Sequence, residues 1–341
     1  MMPLVEDLGV TPIYFDSFWQ ELGARSWTLS HWARRVGCAY YGSDWNSLCP
    51  IRDERRLAGQ VPPGTDIVHF VWGEFASPVQ AWRFRKRARA LIGTFHASAS
   101  RQPVVLKRFR ALSSYDYITV MSQTQVNFFV QRGMPSERIR VILHGVDTGY
   151  FAPAPRRETR SGDPIRGLLV GKTERDHAFM AEVLRRIPRG VLRMTVLTAP
   201  EQRANYTEVP GTEFPDSLSD SELLRAYQQA DLLIMPMLDC AANNAILEAM
   251  ACGTPVLSNR VGGIPEYVCA DCNYLMADKN LEDWIALLVS LSRNRAPLLE
   301  KRPAVRSWAE KLDWHKVAPL YTDLYREALQ SASPPGGVAR R

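Results

Sequence analysis

Five polar side chains fall within ten residues in the stretch 230–267, ADLLIMPMLDCAANNAILEAMACGTPVLSNRVGGIPEY: Asp239, Cys240, Asn243, Asn244 and Glu248. The apolar run 231–236 predicts a strand that enters a small-residue loop, and a helix opens after Asn243-Asn244. Such a step leaves free backbone N–H groups at the positive end of a helix dipole, which suits a phosphate. Glu248 follows Asn244 by four residues, so both project from one helix face. A carboxylate one turn from a bound diphosphate can accept two hydrogen bonds from a ribose diol. Without a ligand, the same residues make a buried strand–helix–strand unit with a solvated Glu. A second candidate cluster is Gly171-Lys-Thr-Glu-Arg-Asp-His177, just after the apolar run 166–170. Its cations Lys172 and Arg175 could face a departing diphosphate or be ordinary surface charges, and Asp176 is expected to cap or orient the next helix.

These residues need elements to position them. Apolar runs predict strands at 12–15, 38–41, 66–71, 91–95, 117–121 and 140–143, and again at 166–170, 194–197, 232–235, 255–258 and 274–276. Segments of helical length separate most of them, which predicts two parallel-sheet α/β domains. Gly253 ends the helix carrying Glu248, and Gly262-Gly263 launches another at Pro265-Glu266. The expected division is a first domain over 1–152, a Pro-rich linker over 153–164, a second domain over 165–315, a helix over 316–330 that returns to the first domain, and a disordered tail over 331–341. Ligands of open α/β sheets bind at the carboxyl ends of the strands.

Glu248-Ala-Met-Ala-Cys-Gly-Thr-Pro-Val256 and Gly262-Gly-Ile-Pro-Glu266 resemble the nucleotide-sugar signature of retaining glycosyltransferases of family 4, E-G-F-G-x-x-x-x-E-A-M-A-x-G-x-P-V followed by G-G-x-x-E. His144-Gly-Val-Asp147 with Phe151 and Pro153 is similar to the family's N-G-V-D-x-x-x-F-x-P entry, with His in place of Asn. Ser307-Trp308 and the stretch 314–325 resemble its last helices. The resemblance implies a GT-B fold, two Rossmann-like parallel-sheet domains facing an interdomain cleft. It implies that Glu248 contacts the ribose, that Lys172 and Arg175 stand for the family's diphosphate-binding Arg and Lys, and that His96, after the apolar run 91–95, lies beside the transferred sugar. Two departures matter. Cys240, preceded by Asp239, stands where the family has its first Glu, the contact to the donor sugar, and Asn243-Asn244 replaces a glycine-rich stretch. The N-terminal glycine loop is not evident, although Leu22-Gly23-Ala24 suggests a remnant.

Composition narrows the function classes. With 341 residues, 46% of them apolar, and 9 Trp, the chain can bury one large or two ordinary cores. Six cysteines lack disulfide-framework spacing, and Cys269-x-x-Cys272 has no second pair beside it, so a reducing cytosol and no metal are expected. The first residues have neither a basic nor an apolar signal region, and no apolar run is long enough to span a bilayer. Residues 1–150 hold 18 Lys and Arg against 12 Asp and Glu, so the whole +6 excess lies there. Arg83, Arg85, Lys86, Arg87 and Arg89, then Lys107, Arg108 and Arg110, follow one another with no acid between Glu74 and Asp116. Such a field suits an anionic partner, either the surface of an acidic membrane or a phosphorylated or lipid-linked acceptor, or else is a solvated face; no nucleic-acid module accompanies it. His69 alternates with apolar neighbours and reads as a core histidine, whereas Trp72 and Glu74 just beyond that strand suit contacts to an acceptor. The expected activity is sugar transfer from a UDP- or GDP-type donor, without a cofactor, in the cytoplasm or at its membrane face. A sugar-nucleotide epimerase, a phosphorylase, or a non-catalytic nucleotide-binding partner subunit are the alternatives on the same fold.

Overall fold

The computed structural model describes residues 59–75, 78–106, 112–155, 162–207 and 209–332. The strands expected at 12–15 and 38–41, the Leu22-Gly23-Ala24 segment, Lys107, Arg108, Arg110 and the middle of the linker lie outside the described residues. The chain divides into two compact units, Met1–Ile142 with Ala318–Arg341, and Leu143–Val317.

The first unit contains a four-stranded sheet, β1 (Thr65–Phe70), β2 (Ala88–Phe95), β3 (Tyr117–Val120) and β4 (Ile139–Val141), in that order and parallel throughout. Parallel strands are covered on both faces and need near-continuous apolar sequence, and β3 is buried at all four positions. Helices α1 (Pro78–Arg85) and α2 (Val126–Val130) belong to the crossovers, and Leu91, Phe95, Ile118, Val120 and Phe129 share one core. From residue 318 onward the C-terminal helix, Trp314–Ser331, belongs to this unit. Its Tyr325 hydroxyl bonds His69 Nδ1 at 2.7 Å, and Thr94 Oγ1 bonds His69 Nε2 at 2.7 Å. His69 is therefore a satisfied core histidine. Its ring keeps a little exposed surface but is crowded on all sides, and burial, aided by nearby His96, pushes its pKa down to about 4.

The second unit holds six parallel strands in the order β10-β9-β8-β5-β6-β7: β5 (Ile165–Val170), β6 (Leu192–Leu197), β7 (Thr212–Glu213), β8 (Leu232–Met235), β9 (Val256–Asn259) and β10 (Tyr274–Met276). The chain first builds outward from β5 to β7, then crosses back to lay β8 on the other side of β5. The strand order reverses there, and open α/β sheets take ligands at the carboxyl ends of strands beside such a reversal. The helices that matter are α3 (His177–Arg186), α4 (Asp220–Gln229), α5 (Asn244–Ala251) and α6 (Ile264–Tyr267). Helix α4 begins in a capping box between Ser219 and Glu222. Helix α5 ends at Gly253, whose φ of +70° lets its N–H reach Met250 O while Thr254 N–H reaches Ala249 O, a Schellman closure.

The segment 143–152, placed in the first domain by its sequence, lies in the second unit. Val146 exchanges backbone hydrogen bonds with Leu312 and Trp314, and Arg306 donates to the carbonyls of Thr148 and Phe151. Gly145 lies under the Trp314 indole, where a Cβ would fall 2.6 Å from the ring. The boundary is therefore set by partners about 160 residues away, which the linker composition does not reveal.

Burial of neutral His69 makes a prediction. The unfolded chain takes up this proton near 6.5, whereas the folded protein resists it until about 4, so acidification across that window favours unfolding. Urea unfolding should show up to about 3 kcal/mol lost between pH 6.5 and 4 from this site, and His69→Gln should flatten that slope. An unchanged slope in the variant would remove His69 as its source.

Candidate functional site

Above the β5/β8 crossing two loops are joined side by side. The first, after β5, turns at Gly171 (φ +100°) and Glu174 (φ +61°) and ends at Asp176, which caps α3 by accepting from Phe179 N–H at 3.0 Å. The second, after β8, runs from Met237 to Asn243, the N-cap of α5. Asp176 N–H donates to Pro236 O, and Leu238 N–H to Glu174 O, both at 2.8 Å. The Arg175 guanidinium crosses over Gly171 and donates to Val170 O at 3.0 Å, Thr173 O at 2.6 Å and Asn243 Oδ1 at 3.2 Å. The same Asn243 oxygen accepts from Ile246 N–H at 3.3 Å, so one side chain caps the helix and holds the arginine. Burial lowers the Arg175 pKa, while Cys240, Tyr227 and Glu174 favour its charge.

The Asp239-Cys240 pair is clamped from behind. A Cβ on Gly262 would fall 2.3 Å from both Asp239 Oδ1 and Cys240 O, and Gly263 N–H donates to that carbonyl at 2.7 Å. The Gly262-Gly263 turn thus has no side chains because another loop occupies their space. Asp239 Oδ1 accepts from Cys240 N–H at 2.7 Å. The Cys240 thiol is buried in the core, and burial pushes its pKa up to about 12, so it is a neutral group.

Glu248 lies one turn along α5 from exposed Asn244 and is itself partly buried. Burial raises its pKa, opposed by the Tyr227 hydroxyl of α4, which lies near the carboxylate without closing a hydrogen bond of normal geometry. Lys172 is set apart: its side chain is 62% exposed and 4.0 Å from Glu201, at a cleft of about 330 Å³ beyond the ends of β5 and β6. Gly171, Thr198, Pro215, Ser217 and Leu218 line that cleft. Beneath it, His177 bonds Tyr206 at 2.8 Å, Gly171 O at 3.1 Å and Thr198 at 3.2 Å.

His96 belongs to the first unit, at the end of β2. Trp72 stacks on its ring with centroids 3.9 Å apart and planes at 22°, and Glu74 Oε2 lies 3.7 Å from its Nδ1. Glu74 is 3% exposed, so its expected role as a direct acceptor contact gives way to support of the chain around His96, whose N–H it accepts together with that of Ala97. The basic stretch is partly neutralised by acids outside it: Arg85 pairs with Asp116 at 3.1 Å and Arg89 with Asp66 at 2.8 Å, while Lys86 lies over Trp82.

The structure thus joins Arg175, Asn243, Asp239 and Cys240 in one framework, places Asn244 and Glu248 on the adjoining helix, and leaves Lys172 at the cleft. Three contributors escaped sequence reasoning. Tyr227 and His177 act across long separations, and Asn259, whose side chain accepts from Met237 N–H and donates to Met237 O, carries only the weak signal of an amide at a strand end before Gly-Gly. Among the described residues no group of three or more His, Cys, Asp or Glu could hold a metal, and no helix is long and apolar enough to cross a membrane.

Comparison with known proteins places this geometry. The profile "Glycosyl transferases group 1" matches residues 166–294, and "Glycosyltransferase Family 4" matches residues 9–150. The D-inositol 3-phosphate glycosyltransferase of Saccharomonospora viridis is 26% identical over 219 residues, 57% of this chain and 51% of that protein. The chain spans about half the length of the curated relatives of this kind that it matches. Among solved structures, sucrose-phosphate synthase from Thermosynechococcus elongatus superposes with a TM-score of 0.63 at 19% identity, over 78% of this chain and 74% of that one. Anabaena HepE in complex with UDP-glucose gives 0.66 at 13% identity, over 80% and 82%. With both units matched and both sheets parallel, the fold is GT-B and the chain belongs to family 4 of the glycosyltransferases, the glycosyl transferases group 1.

Proposed function

We propose that this protein transfers a sugar from a nucleoside-diphosphate donor to a hydroxyl acceptor with retention of configuration. The observation that carries the proposal is the union of Arg175, Asn243 and the start of α5 at the strand-order reversal, with Glu248 one turn away. In this reading the helix N-terminus and Arg175 hold the diphosphate, Lys172 closes on it as charge develops, and Glu248 accepts from the ribose diol. The cleft bounded by Gly171 and the 215–218 loop takes the base. UDP is the first donor class to test, because HepE is known in complex with UDP-glucose. His96 orients a hydroxyl of the transferred sugar. The diphosphate is met by cations and a helix dipole, so the proposal uses no metal. The acceptor is an anionic or lipid-linked glycan attracted by the basic segment that includes Arg83 and Lys86, with the protein in the cytoplasm or at its membrane face.

Calorimetry with UDP, GDP, ADP and CMP tests this directly. One nucleotide should bind clearly best, and Glu248→Ala should weaken it by roughly 1.5–3 kcal/mol, the worth of charge-assisted hydrogen bonds. Failure of all four to bind would leave the fold and remove the donor.

The two cations should behave differently. Lys172→Ala, on an exposed side chain, should leave thermal stability unchanged and raise the barrier by about 2–4 kcal/mol. Arg175→Lys, which breaks the three-way fork, should lower both stability and turnover. Unimpaired turnover in Lys172→Ala would exclude that residue from the leaving-group site.

Buried Cys240 in the place of the family's Glu favours a second reading, a partner subunit that binds nucleotide without turnover. Cys240→Glu separates the two. An adapted enzyme should lose activity when a carboxylate enters that apolar packing, whereas a gain would indicate decay from an active ancestor. An epimerase or phosphorylase would reveal itself by product formed without an acceptor, or only with free phosphate.

A further inference from the structure

The backbone on either side of His96 is fixed by two buried side chains. Glu74 Oε1 accepts the N–H groups of His96 and Ala97, the latter at 2.7 Å. Gln125 Nε2 donates to Phe95 O at 3.1 Å and Ala97 O at 2.8 Å, while its Oε1 accepts from Met121 N–H at 2.7 Å. The ring itself is held by the Trp72 stack on one face and by Glu74 Oε2, 3.7 Å from Nδ1. Nδ1 is shielded from solvent and has no hydrogen-bond partner of normal geometry. The nearby anion therefore dominates its surroundings. Fixing the chain requires only a neutral acceptor, whereas a buried carboxylate carries a desolvation penalty that a second charge-sensitive role would offset.

We propose that Glu74 is a positioning residue that keeps the proton of the neutral His96 imidazole on Nδ1. Which ring nitrogen of a histidine carries the proton is set by the partner of the other. With Nδ1–H directed at Glu74, Nε2 offers its lone pair, and Trp72 fixes the plane in which it does so. Resting on the glycosyl-transfer reading, the group met by Nε2 is a sugar hydroxyl that donates a hydrogen bond; the tautomer itself does not depend on that reading. The sequence separates these residues, with Glu74 and His96 lying 22 positions apart. The parallel register that sets Phe70 against Gly93 brings the two strand ends together.

The test is a two-bond ¹H–¹⁵N correlation spectrum of the full-length protein labelled at histidine, with His96 assigned by its loss in His96→Gln. At pH 8.5, above the ordinary imidazole midpoint, the wild type should show the proton on Nδ1. In Glu74→Gln the backbone bonds can persist, but the amide NH₂ can donate to Nδ1, so the proton should move to Nε2. A wild-type proton on Nε2, or a Glu74→Gln spectrum identical to wild type, overturns the proposal. If Glu74→Gln does not fold, the wild-type spectrum decides alone. Where transfer is measured, Glu74→Gln should lower kcat by roughly 10- to 100-fold, as for other groups that orient an imidazole through its second nitrogen, with donor KM nearly unchanged. A fall in kcat in a variant whose His96 proton stays on Nδ1 would assign Glu74 to folding only. Absence of nucleotide binding would refute the glycosyl-transfer reading and leave the spectrum as the judge of this one.

Discussion

A guanidinium that donates to Val170 O, Thr173 O and Asn243 Oδ1 is the tie on which the second unit's site depends. Placing β8 across β5 from β6 brings the loops of β5 and β8 side by side, and the backbone groups of these irregular segments must be satisfied. Arg175 satisfies two carbonyls and fixes the helix cap at once. All three of its acceptors are neutral, so the bonds orient the cation without cancelling its charge. Cys240 adds no compensation, because burial keeps its thiol protonated. The framework therefore sets a guanidinium, with Glu174 nearby, beside a helix N-terminus.

Local signals explain what was legible in the sequence. Helix α5 was visible because its cap at Asn243, its stop at Gly253 and its carboxylate at Glu248 lie within eleven residues and agree with one another. Strands β3 and β8 were visible for a related reason: they are buried at every position, and such parallel strands read as near-continuous apolar runs. Strand β7 was missed because two residues, Thr212–Glu213, carry no period. The first domain was expected to end at 152, where Pro-rich composition begins, whereas the second compact unit starts at Leu143, with Arg306 and Asp313 reaching back to Thr148. Glu74 was read as an acceptor-side contact because its position beyond a strand says nothing about the neighbouring strand end, whose N–H groups it accepts.

The basic stretch illustrates the same limit for charge. A linear count between Glu74 and Asp116 finds only cations, yet a parallel sheet puts the residues just before and after that interval beside it. Asp66 on β1 meets Arg89 on β2, and Asp116 at the start of β3 meets Arg85. Both pairs are partly exposed, so they contribute little to stability. They do offset part of the field of the stretch, while Lys86 lies over an exposed Trp82, a cation set on an aromatic face.

Cys240 shows how the loss of one carboxylate changes what the remaining residues must do. Its backbone is held by Gly263 and its side chain is enclosed, so the loop keeps its shape without the Glu that relatives in the family pattern carry. Asp239 is near but its Oδ1 is engaged with the Cys240 N–H, which prevents simple substitution of one acid for the other. Selection of a sugar through a charged acceptor at this position would then be weak, and discrimination would rest on backbone groups and on shape. The residue beside Arg175 on this loop is thus neutral and packed rather than acidic.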